Sequence, residues 1–176
     1  VAGVMGGQDS EPLILDLMEI VQRSQPRVIF THNLCDRHPH HVVVVLAVIQ
    51  ALRKLDYKPE QFYGGEAWRG LDWMNPSDRM HFDVSEHQNI TSALMGVYDS
   101  QITGGKRYDQ ATAGRKRANA TYSDPFHSDD SSALEYAMDL LPLLHDHQLK
   151  PEDYAVQLVE NFLAVVKRRL TNGGKV

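Results

Sequence analysis

Eleven residues, Thr31-His32-Asn33-Leu34-Cys35-Asp36-Arg37-His38-Pro39-His40-His41, carry four histidines and one aspartate. Imidazole and carboxylate are the groups that bind divalent zinc and move protons near neutral pH. His38 and His41 stand three residues apart with Asp36 just ahead of them, a spacing that lets two rings and a carboxylate meet at one spot. Two readings follow. The cluster is a metal or proton-transfer site, or His32 and His40 are loop residues that bond to backbone and solvent.

The flanks decide how such a cluster is held. Val28-Ile29-Phe30 is an apolar, β-favouring run. From His41 to Leu55 the chain is apolar on nearly every side. Val42-Val43-Val44-Val45 alone suggests a strand. The total length, Pro39 and the helix-forming end through Ala47, Gln50, Ala51, Leu52, Arg53 and Lys54 favour a buried helix. Polar residues between a strand's carboxyl end and a helix are where α/β folds put ligands. Upstream, Pro12 leads an amphipathic helix that closes by Pro26. Downstream, strands are expected at Phe62-Tyr63 continuing into Glu66-Ala67-Trp68, and at His81-Phe82-Asp83-Val84. Ser85 and Gln88 have capping-box spacing, so a helix is expected from there to about Ile102, ended by Gly104-Gly105. Residues 106–132 lack periodicity and are expected to be loops and short helical turns. Pro151-Glu152-Asp153 opens the clearest amphipathic helix, running through Lys167-Arg168-Arg169 to Gly173-Gly174. Strand, helix and strand in this order imply an α/β domain with parallel pairing.

The 176 residues suffice for one domain with a real core. A net charge of −5 argues against general nucleic-acid binding and against a polybasic membrane surface. Cys35 is the only cysteine, so no internal disulfide forms, which fits a reducing compartment. No apolar run reaches the length of a membrane span. Only two or three strands are visible and residue 1 is not methionine. Either the sheet is small or strands lie upstream of Val1.

Pro26-Arg27-Val28-Ile29-Phe30-Thr31-His32-Asn33, followed by Asp36-Arg37-His38-Pro39-His40-His41-Val42, resembles the second signature of the PIG-L/LmbE family. These are zinc-dependent deacetylases that act on N-acetylglucosamine-type amides. The resemblance covers residues 26–55. It implies a Rossmann-like α/β sheet with flanking helices, residues 1–176 forming the carboxyl-terminal part of one such domain. It implies His41 as a zinc ligand, His38 as stabiliser of the developing oxyanion, and Asp36 as the group that orients His38 or shapes the loop. His40 stands where the family has aspartate. It joins the candidate catalytic set as a substitution that removes a fixed negative charge. The family's first signature, A-H-P-D-D-E, supplies two zinc ligands and the base and has no counterpart here; His127-Ser128-Asp129-Asp130 is an echo in the wrong place. The resemblance therefore implies that the amino-terminal strands and the remaining ligands lie upstream.

Residues 66–74, 99–102, 104–109 and 115–122 also resemble a bacterial subgroup in which such a domain follows a glucosamine-6-phosphate deaminase-like domain. That implies an amino-sugar substrate, cytoplasmic metabolism, and a fused deaminase-like domain or a homo-oligomer as partner. The alternative is a non-catalytic module that binds an amino sugar or stabilises a fused enzyme. Lys106, Arg107 and Arg115, with Lys116, Arg117 and the glycines nearby, could bind a sugar phosphate or form a solvated loop. Arg69 is a further candidate substrate contact. Trp68 and Trp73 could stack on a sugar or pack in the core. Glu66 could orient a ligand or sit in a surface ion pair. His145 and His147 flank Asp146 and are read as polar residues at a helix end.

Overall fold

The computed structural model describes residues 10–55, 57–121 and 126–172. Residues 122–125 and the pair Gly173-Gly174 lie outside them. The described residues of Val1–Met80 and Ala137–Val176 form one compact unit, and those of His81–Tyr136 form a second.

In the first unit, helix α1 (Glu11–Ser24) starts with proline in its first turn. Gln25 then stops it by taking a left-handed conformation (φ 41°). Strand β1 (Val28–His32) follows, then helix α2 (Pro39–Lys54) and strand β2 (Gln61–Gly65). β1 and β2 pair in parallel, with Phe30 opposite Tyr63 and His32 opposite Gly65. Val42 to Val45 are helical despite their β preference. The helix buries Val45, Val48, Ile49 and Leu52 along one side, and that burial outweighs the few tenths of a kcal/mol per residue that separate β-branched from straight side chains. Ile14 of α1 packs on Ala47 and Ala51 of α2, with Leu13, Leu17 and Met18 around it. Trp73 meets Phe162 edge-on, at 6.3 Å and 70°.

Strand β2 ends at Gly65, so Glu66, Ala67 and Trp68 form a loop and not the strand's continuation. A short 3₁₀ turn (Pro76–Asp78) precedes β3 (Met80–Asp83), which falls where a strand is expected. Strand β4 (Leu134–Asp139) is one that the sequence pattern does not announce. Its residues include helix formers and alternate poorly. It is a strand because Tyr136, Ala137 and Met138 are all buried, a pattern set by tertiary packing. Asp139, Met138 and Ala137 pair antiparallel with Tyr63, Gly64 and Gly65. The strand order is β1-β2-β4-β3, a four-stranded mixed sheet.

Within the second unit, the helix expected from Ser85 to Ile102 is two pieces, α3 (Gln88–Gly96) and α4 (Ser100–Thr103). Ser85 is not its cap. The Ser85 hydroxyl accepts the amides of Ser132 and Ala133, and His87 precedes α3 in a left-handed conformation without a side-chain cap. The expectation of loops over 106–132 is also corrected. Residues 108–121 form helix α5 (Tyr108–Thr121). It has almost no apolar stripe, which hid it from periodicity. Its alanines, arginines, lysine and glutamine are strong helix formers regardless. Lys116 meets Glu135 at 3.2 Å, and Tyr136 donates to the Asn119 carbonyl at 2.7 Å.

In the first unit again, α6 (Pro142–His145) leads to α7 (Pro151–Asn172), the amphipathic helix expected there. Among the described residues no helix is long and apolar enough to cross a membrane.

Candidate active site at the carboxyl end of β1

Asp36 organises the cluster. Its side chain is fully buried, and both oxygens are occupied. Oδ1 accepts the His38 amide at 2.8 Å and faces His41 Nδ1 at 3.0 Å. Oδ2 accepts the amides of Trp68 at 3.0 Å and Arg69 at 3.4 Å. Burial works to raise the Asp36 carboxyl. The amides of His38 and Trp68, the His41 ring and the Arg69 amide outweigh it, and the group is held below the ordinary carboxylate value. Asp36 is therefore an anion at neutral pH, just ahead of the amino end of α2, where the helix dipole favours one.

An ionised carboxylate only accepts hydrogen bonds, so the proton of a neutral His41 sits on Nδ1 and its Nε2 keeps a lone pair. His38 is the mirror case. It caps α2, and its Nδ1 accepts the His40 amide at 3.2 Å. A neutral His38 therefore carries its proton on Nε2 and can donate from there. One ring offers an acceptor and its neighbour a donor, with ring centres 4.8 Å apart. The His32 ring stacks on His41 at 3.8 Å and 4°. Burial, and then the neighbouring His41, push the His32 pKa down. Trp68 stands edge-on to His38 at 5.6 Å.

The expected site residues are brought together unequally. Asp36, His38 and His41 form one constellation. Asp36 orients the His41 ring; of His38 it takes only the backbone amide. His40 is exposed, tilted against His38 at 5.0 Å, and contributes its amide to the cap. Arg69 joins through its backbone, and its guanidinium acts on Cys35 by pulling the thiol pKa down. Burial prevails and the Cys35 pKa is raised, so this thiol is a poor nucleophile. Lys106, Arg107 and Arg115 lie in the second unit. Arg107 there grips Asp109 through both ends of its guanidinium, at 2.9 and 2.6 Å. The Glu66 carboxylate accepts the Leu71 amide at 2.6 Å and closes the loop around Trp68. His145 and His147 are exposed.

Two supports escaped sequence reasoning. Asn33 is fully buried; its amide nitrogen donates to the Gly65 carbonyl at 2.9 Å and its oxygen accepts the Cys35 amide at 3.0 Å. Gly64 lies beneath it, so close that a Cβ would stand 2.9 Å from Asn33 Cα and 3.1 Å from the His32 carbonyl. The glycine pair at the end of β2 was the available signal. Elsewhere in the same unit a cleft of about 290 Å³ is lined by Asp78, Asp139, Tyr154 and Asn161 among others. Several of its polar groups are committed to structure. Asp78 accepts from Asn75 and Asn161, and Tyr154 donates to the Asp139 carbonyl. Burial first, then Asp139 and Asp78, push the Tyr154 pKa up to about 12.

Zinc sites take three or more protein donors, with hydrogen-bonded imidazoles among them. His41 backed by Asp36 has the form of one such donor. Among the described residues no group of three or more His, Cys, Asp or Glu is placed to hold a metal ion. These residues do not by themselves make a complete zinc site.

No protein-family model matches the chain, and no curated protein matches it. Solved structures do. The chain is similar to GalB, the 4-carboxy-2-hydroxymuconate hydratase from Pseudomonas putida, with 15% identity and a TM-score of 0.53, covering 77% of this chain and 60% of that one. It is also similar to the conserved protein TT1542 from Thermus thermophilus, with 22% identity and a TM-score of 0.55, covering 78% of this chain and 62% of that one. The chain thus shares their mixed α/β fold and spans about three fifths of their length.

Proposed function

We propose that this chain carries part of the active site of a hydrolase that cleaves the N-acetyl amide of an N-acetylglucosamine-type substrate, as PIG-L/LmbE deacetylases do. The observation that supports the reading most is the complementary pair of rings. His41, locked by Asp36, presents a lone pair at Nε2, and His38, locked by the His40 amide, presents a proton at Nε2. The Nε2 lone pair of His41 is available to a divalent metal, and the Nε2 proton of His38 suits a carbonyl oxygen that gains charge during amide hydrolysis. A donor of this kind is commonly worth roughly 10²–10³ in rate. Asp36 is a positioning residue that fixes the His41 tautomer, and Trp68 walls the site on the His38 side.

Zinc belongs to the proposal at one point only, His41 Nε2. The described residues lack the other donors. Arg69 is proposed as a substrate contact of this site, and the basic group of Lys106, Arg107 and Arg115 in the second unit is proposed, separately, to suit a sugar phosphate. The proposal also includes a cytoplasmic setting, consistent with the single cysteine. The proposal is tested by release of acetate from N-acetylglucosamine derivatives with zinc added, comparing wild type with His38→Ala and Asp36→Asn. Loss in both variants supports it.

A second reading has one observation in its favour: His40, in place of a carboxylate, is exposed and lends the site only its amide. In that reading the module binds an amino sugar without turning it over. Tight amino-sugar binding without acetate release by the wild type selects it.

A further inference from the structure

Helix α7 carries two apolar stripes. One faces its own unit: Leu158 is buried, and Phe162 lies edge-on to Trp73. The other faces outward. Val156 is 54% exposed, Val159 46%, Leu163 46% and Leu170 76%. With half-buried Val166 between Leu163 and Leu170, these positions step by three and four residues. That is the a/d spacing of a coiled-coil seam. A helix within a finished monomer normally shows one such stripe.

We propose that this outer stripe of α7 pairs, antiparallel, with the same stripe of a second copy of this chain. Charge selects both partner and direction. Glu160 and Lys167 lie on the same edge of the stripe, and neither takes part in an ion pair among the described residues. They are seven residues apart, about 10 Å along the axis, too far to meet each other. A two-fold axis between them sets Glu160 against Lys167 of the partner subunit and, by symmetry, Lys167 against Glu160 of the partner subunit. The same register packs Leu163 on Val166 of the partner subunit and Val159 on Leu170 of the partner subunit. A parallel pair would instead place the acidic start (Glu152, Asp153) beside itself, and the basic end (Lys167, Arg168, Arg169) beside itself. The antiparallel arrangement also opposes the two helix dipoles. The overlap from Val156 to Leu170 is about 22 Å long, a small interface, so the dimer should be concentration-dependent.

Sedimentation equilibrium of the whole protein over the micromolar range tests this. A monomer–dimer equilibrium that weakens with salt is expected. Leu163→Glu should leave only monomer with an unchanged far-UV circular dichroism spectrum. Glu160→Lys and Lys167→Glu should each weaken association by about tenfold, and the double variant, which restores opposite charges, should recover it. A monomer at every concentration overturns the proposal, and so does a double variant no tighter than either single one.

Discussion

At the residue scale, the chemistry turns on which nitrogen of each ring holds its proton. Asp36→Asn keeps the size of the side chain but can point an amide N–H at His41, which favours the other tautomer. Acetate release is expected to fall by roughly 10²-fold or more, on the scale of lost electrostatic and orienting groups. The comparison that checks it is kcat for Asp36→Asn against Asp36→Glu. The same carboxylate sets an acid limit. Its folded pKa lies below the unfolded value of about 3.9, so its stabilisation is complete above that value and is lost as pH falls through the folded one. His32 acts at milder pH. Its folded pKa is lowered, so the unfolded chain takes up the proton first. Stability is therefore expected to decline as pH drops below about 6.5. Thermal melts of wild type and His32→Gln between pH 8 and about pH 5 read this directly; the variant's Tm should depend less on pH.

At the element scale, the site rests on how closely β2 passes beneath the Asn33 loop. Gly64→Ala must push a methyl group against backbone on two sides. A loss of about 1–3 kcal/mol is expected in urea unfolding, with displaced His32 and Asn33 resonances. Arg53 does similar work at the other end of α2. Its guanidinium donates to the carbonyls of Leu143, Asp146 and Leu149. Arg53→Lys cannot reproduce that fork and should lower Tm by several degrees, consistent with about 1–2 kcal/mol. Elements with a proline start and an apolar pattern of helical length were legible in the sequence: α1, α2 and α7, with β1 between turn signals. The elements that were missed share a cause. β4 is buried across three successive residues and so shows no alternation. α5 has no apolar face to display. The cap expected at Ser85 failed because that hydroxyl is taken by Ser132 and Ala133, distant in sequence. Within the site, Asp36, His38 and His41 could be singled out by type and spacing. The bonds to Asp36 Oδ2 could not, because they come from the amides of Trp68 and Arg69, more than thirty residues away.

At the scale of the whole molecule, the fold is shared with two solved structures named for different things, one a hydratase and one a conserved protein. Fold alone therefore leaves the reaction to the site. The cluster at the end of β1 holds four imidazoles in unequal roles. They are a locked acceptor, a locked donor, a stacked neighbour and an exposed fourth ring. The most direct test is the rate of acetate release from N-acetylglucosamine derivatives by the full-length protein, any segment ahead of Val1 included, with zinc present and bound zinc measured, for wild type and His41→Ala. Turnover by the wild type, and loss of both turnover and zinc in the variant, is the expected result. Wild-type turnover that survives in His41→Ala with zinc content unchanged would contradict the assignment of His41.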